Sequence, residues 1–314
     1  MRYIKETTDF KLHNSIVTLG KFDGLHIGHQ MLLDHVLELK QKGYQSVMFS
    51  FSLHPNNLFS EKEIKLIYTN EEKYYHLKKM GFDILISYPF TKDTASIEPE
   101  EFIKNVLVDQ LDAKFIVVGS DFCFGKDRKG NATMLKEYST QYGYEVYVYD
   151  KLTSSQKVVS STRVRDELEK GDMEEVQTLL GRPFSIRGEV IHGRRLGRTF
   201  GMPTINIQPP EEKLLPPNGV YASTMMIEGI KRYGVTNIGY KPTVGSEPRP
   251  GVETYILDFT GDLYGEMVEV NLHHFMRPEL KFETVEELKV QMQRDMEDAI
   301  QYFHLENVTA NKEI

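Results

Sequence analysis

Gly20-Lys21-Phe22-Asp23-Gly24-Leu25-His26-Ile27-Gly28-His29 connects a short apolar run to a stretch with helical spacing. The run, 15–19, reads as a strand that ends in glycine. In 29–43, Leu32, Leu33, Val36, Leu37 and Leu39 give a helix with a mostly apolar face. Outward from this junction the same alternation continues. Residues 46–52 read as a second strand, and Thr69-Asn70-Glu71-Glu72 is a capping box opening a helix that stops at Gly81. Residues 83–87, 115–119 and 144–149 are further strands, with helices over 99–111 and 133–143 between them. Strands separated by helices imply right-handed crossovers and a parallel sheet covered on both faces. Ligands bind such sheets off the carboxyl ends of the strands, which is where the opening loop sits.

From about Arg187 the rhythm changes. Residues 187–192, 220–227, 233–239, 254–259 and 268–275 are strand-like, joined by glycine- and proline-rich turns, and predict an antiparallel barrel or sandwich. A last helix opens at the capping box Thr284-Val285-Glu286-Glu287. Its seam of Leu288, Met292, Met296, Ile300 and Phe303 reads as core rather than as a cofactor site. Two domains are expected, 1–182 and 183–305, with a polar tail over 306–314. A chain of 314 residues has room for both.

Composition narrows the function classes. With 40% hydrophobic and 27% charged residues the chain reads as a soluble globular protein. It lacks the roughly 18 consecutive apolar residues of a bilayer span. The first residues lack the basic start and apolar run of a secretory signal. The single cysteine, Cys123, excludes an internal disulfide framework and a cysteine-rich zinc site. A cytoplasmic protein without membrane partner is expected. The net charge of −8 argues against the contiguous basic surface that nucleic acid requires. The local cluster Arg194, Arg195 and Arg198 suits a small phosphorylated ligand better than a duplex.

The opening loop has the parts of an anion site. Two of its glycines let the backbone turn tightly and approach a ligand. His26 and His29, three apart at the start of a helix, project to one side where free amides and the dipole favour an anion. Two imidazoles there can stabilise phosphate charge in a displacement; the same pair also suits a plain helix cap. Ser161 can cap another helix, with the Thr162 hydroxyl beside it and Arg165 one turn later able to fork onto phosphates. A capped surface helix fits that segment equally. A Walker A loop does not fit anywhere: Gly119 to Gly125-Lys126-Asp127 is one residue too long and ends in aspartate.

The stretch 20–29 contains the His-Ile-Gly-His of class I aminoacyl-tRNA synthetases and related nucleotidyltransferases. The longer G-x-F-D-G-x-H-x-G-H pattern resembles the prokaryotic FMN adenylyltransferase family. Phe51-Ser52-Leu53-His54-Pro55 resembles that family's F-E-P-H-P, departing at Ser52 and Leu53. Residues 118–125 resemble its flavin-facing G-x-D-F-x-F-G loop, with Cys123 where a basic residue is common. Residues 159–165 resemble its I-S-S-T-x-I-R segment. A synthetase's K-M-S-K-S-like loop and RNA-binding domain are not visible in the sequence. The resemblance implies a Rossmann-like α/β nucleotidyltransferase domain. It implies ATP on Gly20, Phe22, Asp23, Gly24, His26, Gly28, His29, Ser161, Thr162 and Arg165. It implies flavin on His54, Pro55, Gly119, Asp121, Phe122 and Phe124.

In the second half, residues 188–206 carry glycines at 193, 197 and 201 and then Pro203-Thr204-Ile205-Asn206. A glycine-spaced basic loop can wrap phosphates through its amides; glycines are equally common in barrel turns. Thr204 and Asn206 point to one side of an extended chain, and their oxygens suit Mg²⁺ beside substrate phosphates. This stretch is similar to the riboflavin kinase family's G-x-V-x-x-G-x-x-x-G-x-x-x-G-x-P-T-A-N, with Ile205 for alanine. The similarity runs on through 217–221, 236–239, Pro242-Thr243, 253–259, where Tyr255 stands at a frequent histidine, 262–265, and 277–279 with Phe282. It implies a six-stranded antiparallel β-barrel with a C-terminal helix. It implies phosphate contacts at Gly193, Gly197, Gly201, Pro203 and Thr204, Mg²⁺ at Thr204 and Asn206, and flavin at Glu253 and Arg277. Glu253 is the implied base, against the plainer reading of a solvated strand residue; Arg277 equally suits a surface salt bridge.

The two resemblances together imply a bifunctional transferase: ATP and riboflavin give FMN, then ATP and FMN give FAD and pyrophosphate. His26, His29, Arg165 and Glu253 would carry the chemistry, with ATP as co-substrate and ADP as the first by-product. The alternatives are one active domain alone, or a flavin-binding regulator that turns over nothing.

Overall fold

The structure is a computed structural model that describes residues 1–52, 57, 64–193, 202–241 and 249–305. By packing the chain forms two compact units. The first comprises Met1–Ser161 with Glu212–Leu214, and the second comprises Thr162–Glu211 with Leu215–Ile314.

The first unit is a parallel sheet. Its strands are β1 (Arg2–Lys5), β2 (Ser15–Leu19), β3 (Gln45–Phe51), β4 (Ile84–Tyr88), β5 (Ala113–Gly119) and β6 (Glu145–Tyr149), in the order β1-β4-β3-β2-β5-β6. Alternate residues of each strand feed opposite cores, as the period of two requires. Val17, Phe49, Ile86 and Ile116 face one layer with Ile103, Leu107 and Leu135. Ile16, Met48, Leu85 and Val117 face the other, where α1 (Ile27–Lys40) contributes Leu32, Leu33 and Val36 and α2 (Asn70–Met80) contributes Leu77. The Thr69 box is reciprocal: its hydroxyl accepts from the Glu72 amide, and Glu72 accepts from the Thr69 amide. The expected helix over 99–111 is a short α-helical turn, Pro99–Glu101, continued by a π-helix, Phe102–Gln110. Beyond β5, α3 (Ala132–Tyr142) leads to β6. The edge strand β1, paired in parallel to β4, has no counterpart among the strands read from the sequence.

In the chain, β2 to β4 build the sheet in one direction and β5 then returns to the other flank of β2. The β2/β5 boundary is therefore the topological switch, where the loops after both strands splay and leave a crevice. The loop after β2 is 20–26, and the loop after β5 begins at Ser120.

The second unit begins with α4 (Ser161–Lys170, of which Ser161 packs in the first unit) and α5 (Met173–Leu180). A closed barrel follows. Its strands are β7 (Phe184–Ile191), β8 (Thr204–Ile207), β9 (Gly219–Ile227), β10 (Ile230–Lys241), β11 (Arg249–Ile256) and β12 (Met267–Pro278), in the order β7-β8-β11-β10-β9-β12, with β12 closing onto β7. The interior is partly polar but satisfied: Thr236 bonds Ser223 at 2.7 Å and Thr254 at 2.9 Å, and all three are buried. The last helix, α6 (Val285–Tyr302), is capped by Thr284. Its Met292, Met296 and Ile300 pack on Met202, Tyr233, Val235, Tyr255 and Leu257, so most of the methionine seam is core, as expected.

Candidate active sites

The loop after β2 holds unusual backbone. Phe22, Gly24 and Leu25 have φ of 47°, 85° and 46°. Left-handed conformations cost a non-glycine residue roughly 1–3 kcal/mol each and persist only where the surroundings fix them. Burial does so here, since Phe22 and Leu25 are 1% and 0% exposed. Burying such side chains contributes roughly 1.5–3 kcal/mol apiece, enough to offset the strain. Gly24 must be glycine on two counts: its φ, and the side chain of Ile67, which a Cβ would meet at 3.1 Å. The Asp23 carboxylate accepts the Ile67 amide at 2.9 Å, and the Asp23 carbonyl accepts the Ser161 hydroxyl at 2.9 Å.

This tie-down delivers two histidines. His26 is the N-cap of α1, and its Nδ1 accepts the His29 amide at 3.3 Å. An accepting Nδ1 on a neutral ring leaves the proton on Nε2, the donor that a phosphate oxygen needs. The two rings stack with centroids 3.6 Å apart, and Phe22 packs edge-on against His29. The arrangement sits at a helix N-terminus with no acidic residue in its first turn, so the local field favours an anion.

The barrel presents a second constellation. Pairing across β8 and β11 sets Asn206 opposite Glu253 and Thr204 opposite Tyr255, so all four share one face. The Thr204 hydroxyl donates to the Glu253 carboxylate at 2.5 Å. Asn206 is 6% exposed, and the backbone at Gly193 crosses its amide so closely that a Cβ would lie 2.3 Å from Nδ2. The register continues the row from Glu253 to Asn237 on β10, then Val220 on β9 and Arg277 on β12.

Residues 9–163 match the family described as FAD synthetase, and residues 180–303 match that described as riboflavin kinase. A bifunctional riboflavin kinase/FMN adenylyltransferase of Listeria monocytogenes is 37% identical over 92% of this chain and 93% of its own. Its namesake in Escherichia coli K12 is 36% identical over 92% and 93%. The chain belongs to the bifunctional riboflavin kinase/FMN adenylyltransferase family. A solved structure described as a macrolide-efflux protein from Streptococcus pneumoniae superposes with a TM-score of 0.81 at 31% identity, covering 95% of this chain and 98% of that one. No helix among the described residues is long and apolar enough to cross a membrane.

The described residues include most, but not all, of the expected site residues. Gly20, Phe22, Asp23, Gly24, His26, Gly28, His29 and Ser161 come together in the first unit. Ser161 stands in the first turn of α4 rather than capping it, and its hydroxyl reaches Asp23 instead. Thr162 is exposed and Arg165 half-buried, and both pack with the second unit. In the loop after β5, Gly119 precedes Asp121, which pairs with Lys151 at 2.9 Å. Phe122, half-buried, stacks at 5.6 Å on Phe124, which is buried in the core. Cys123 and Phe124 pair with Asn131 and Gly130 in a short antiparallel ladder. His54, Pro55, Gly197, Gly201 and the arginines at 194, 195 and 198 lie outside the described residues. Pro203 is exposed beside Thr204. Arg277 forks onto Asp295 with bonds of 2.7 and 2.6 Å, and Asp295 is 4% exposed, so this guanidinium is anchored to α6.

The donor set fits Mg²⁺, which prefers hard oxygens and takes few protein ligands beside phosphates. A hydroxyl that gives its proton to Glu253 keeps its lone pairs for a cation, and the Asn206 amide oxygen is the neighbouring donor.

Sequence reading missed three residues. Asn237 joins the barrel row only through strand register. Lys73 is 3% exposed under the histidine loop, 3.5 Å from the Ser50 hydroxyl that donates to the Lys21 carbonyl. Burial pushes its amine down to about 8, opposed by the nearby Asp23 charge. A lysine one turn before Leu77 on the apolar face of α2 was the available signal. Lys213, fully buried, pairs with Glu72 at 2.8 Å.

Proposed function

We propose that the two constellations act in series: residues 183–305 phosphorylate riboflavin with ATP, and residues 1–182 adenylylate the resulting FMN with ATP, releasing pyrophosphate. One observation supports this reading: His26 and His29 stack at the sheet switch point of the first unit, while Thr204, Asn206 and Glu253 share one face of the barrel in the second.

In the barrel, Glu253 takes the proton from the ribityl 5′-hydroxyl as its oxygen attacks the γ-phosphorus of ATP, and ADP leaves. The Thr204 hydrogen bond fixes the carboxylate's rotamer for that transfer. Asn206 and Thr204 would hold Mg²⁺, which supplies charge neutralisation on the phosphates. Gly193, Gly197, Gly201, Pro203 and Thr204 would contact those phosphates, and Arg277 would stay near the flavin while anchored by Asp295.

In the first reaction centre the FMN phosphate attacks the α-phosphorus of ATP and the bond to pyrophosphate breaks. The nucleophile is already ionised, so positioning and charge stabilisation suffice. His26 and His29 donate to the phosphate oxygens. Phe122, Phe124 and Asp121 would receive the flavin, with His54 and Pro55. The acidic balance and the single cysteine support a cytosolic setting for both steps.

Chromatography of products formed from riboflavin or from FMN, each with ATP and Mg²⁺, tests the proposal. FAD from both tubes supports two working sites. FMN alone from the first tube, with nothing from the second, confines activity to the barrel. Flavin binding without conversion in either tube refutes the enzymatic reading.

A further inference from the structure

The segment Glu212–Leu214 lies between β8 and β9 in sequence but packs within the first unit. There it runs parallel to Leu66. The Leu66 amide donates to the Glu212 carbonyl at 2.6 Å, and the Leu214 amide donates to the Leu66 carbonyl at 2.7 Å. Between these two bonds Lys213 enters the protein. Its side chain is 0% exposed, its ammonium donates to the Ile67 carbonyl at 2.8 Å and to Glu72 at 2.8 Å, and it lies 4.7 Å above the Tyr68 ring.

Ile67 is thus held at both ends of its backbone. Lys213 takes the carbonyl, and the Asp23 carboxylate takes the amide. Asp23 is the residue whose carbonyl receives Ser161, and the side chain of Ile67 presses on Gly24. The strained turn at Phe22, Gly24 and Leu25 that aims His26 and His29 therefore leans on Ile67, and Ile67 leans on Lys213.

We infer that Lys213 is a positioning residue for FMN adenylylation, reaching the histidine loop through Ile67 and Asp23 although it lies in the stretch of sequence that builds the kinase barrel. A buried ammonium with two charge-assisted or carbonyl acceptors is rigid, and a rigid neighbour is what a left-handed loop needs to keep one geometry. Displacement of reacting groups by about 1 Å can cost on the order of 100-fold in rate. The inference rests on the adenylyltransferase reading of this loop. Wild-type protein that makes no FAD from supplied FMN would sink that reading before any variant is compared.

The test uses the full chain. Lys213→Met should lower kcat for FAD formation about 10- to 100-fold, with riboflavin phosphorylation within about twofold of wild type. Lys213→Arg, which keeps a buried donor, should recover part of the loss. Because Lys213→Met takes the ammonium away from the buried Glu72 carboxylate, Lys213→Met/Glu72→Gln is made beside it to relieve that cost. The double variant should melt closer to wild type yet stay slow, since it still lacks a donor to the Ile67 carbonyl. Full recovery of kcat in the double variant would overturn the inference, leaving Lys213 as one half of a structural ion pair. An unchanged kcat in Lys213→Met would overturn it as well.

Discussion

Lys73 is an expensive residue to keep. Its amine sits in the first unit, 3% exposed, with burial pulling its titration from the ordinary 10.5 down to about 8. The folded protein still holds it as an ammonium at neutral pH, so the charged state is disfavoured on folding. The drop from 10.5 to about 8 corresponds to roughly 3 kcal/mol lost at pH 7. The sign follows from proton counts. Between pH 8 and 10.5 the unfolded chain binds more protons at this site than the folded chain, so the site's penalty shrinks as pH rises. By the same relation the penalty at pH 9.5 is about 1 kcal/mol. Lys73→Met, close in length and uncharged, should therefore raise the stability of the sheet unit by up to about 3 kcal/mol at pH 7, less whatever Asp23 loses with its neighbour. The gain should decline by about 2 kcal/mol on moving to pH 9.5. Urea denaturation followed by tyrosine fluorescence at the two pH values measures both numbers, with the barrel's own transition as internal reference. FAD formation should fall in the same variant, because the ammonium lies beneath the loop carbonyl of Lys21 and beside Asp23. A variant less stable than wild type at pH 7, or a difference that does not change with pH, would refute the reasoning.

His29→Ala should abolish FAD formation from FMN, a loss of at least about 100-fold in kcat, while riboflavin phosphorylation continues; product chromatography separates the two. Asn206→Ala and Glu253→Gln should do the reverse, so that FAD appears only when FMN is supplied, and loss of both activities in folded protein would defeat the separate-site scheme. His273, whose ring bonds Thr224 at 2.9 Å and meets Phe303 edge-on, is held down to about 4, chiefly by burial. The unfolded chain binds its proton first on acidification, so the barrel should lose stability as pH falls from 6.5 to 4, and His273→Gln should flatten that dependence in thermal melts.

What the sequence revealed and what it hid divide along a physical line. Local patterns were legible. The 15–29 junction fell where glycine, strand and helix signals coincide, and the Thr69 and Thr284 caps appeared at their positions because capping is a three-residue interaction. Thr204, Asn206 and Glu253 were named from motif and alternation, whereas the pairing of Asn206 with Glu253 is visible only in the barrel's register. Edge strand β1 escaped because its pattern, Arg2-Tyr3-Ile4-Lys5, has only one fully buried residue to announce it. Lys73 and Lys213 escaped for a deeper reason. Each is a charge whose meaning lies in a partner far along the chain, and Lys213 is 141 residues from Glu72 and 146 from Ile67. No local window contains both members. Yet these residues hold the loop that the motif identifies, for a histidine pair at a helix start becomes a phosphate site only if its backbone is fixed. At 20–29 the strained backbone is fixed by burial of Phe22 and Leu25 and by bonds from Ile67 and Ser161. The motif thus names the groups proposed to meet the phosphates, and their aim is set by residues that share no segment with it.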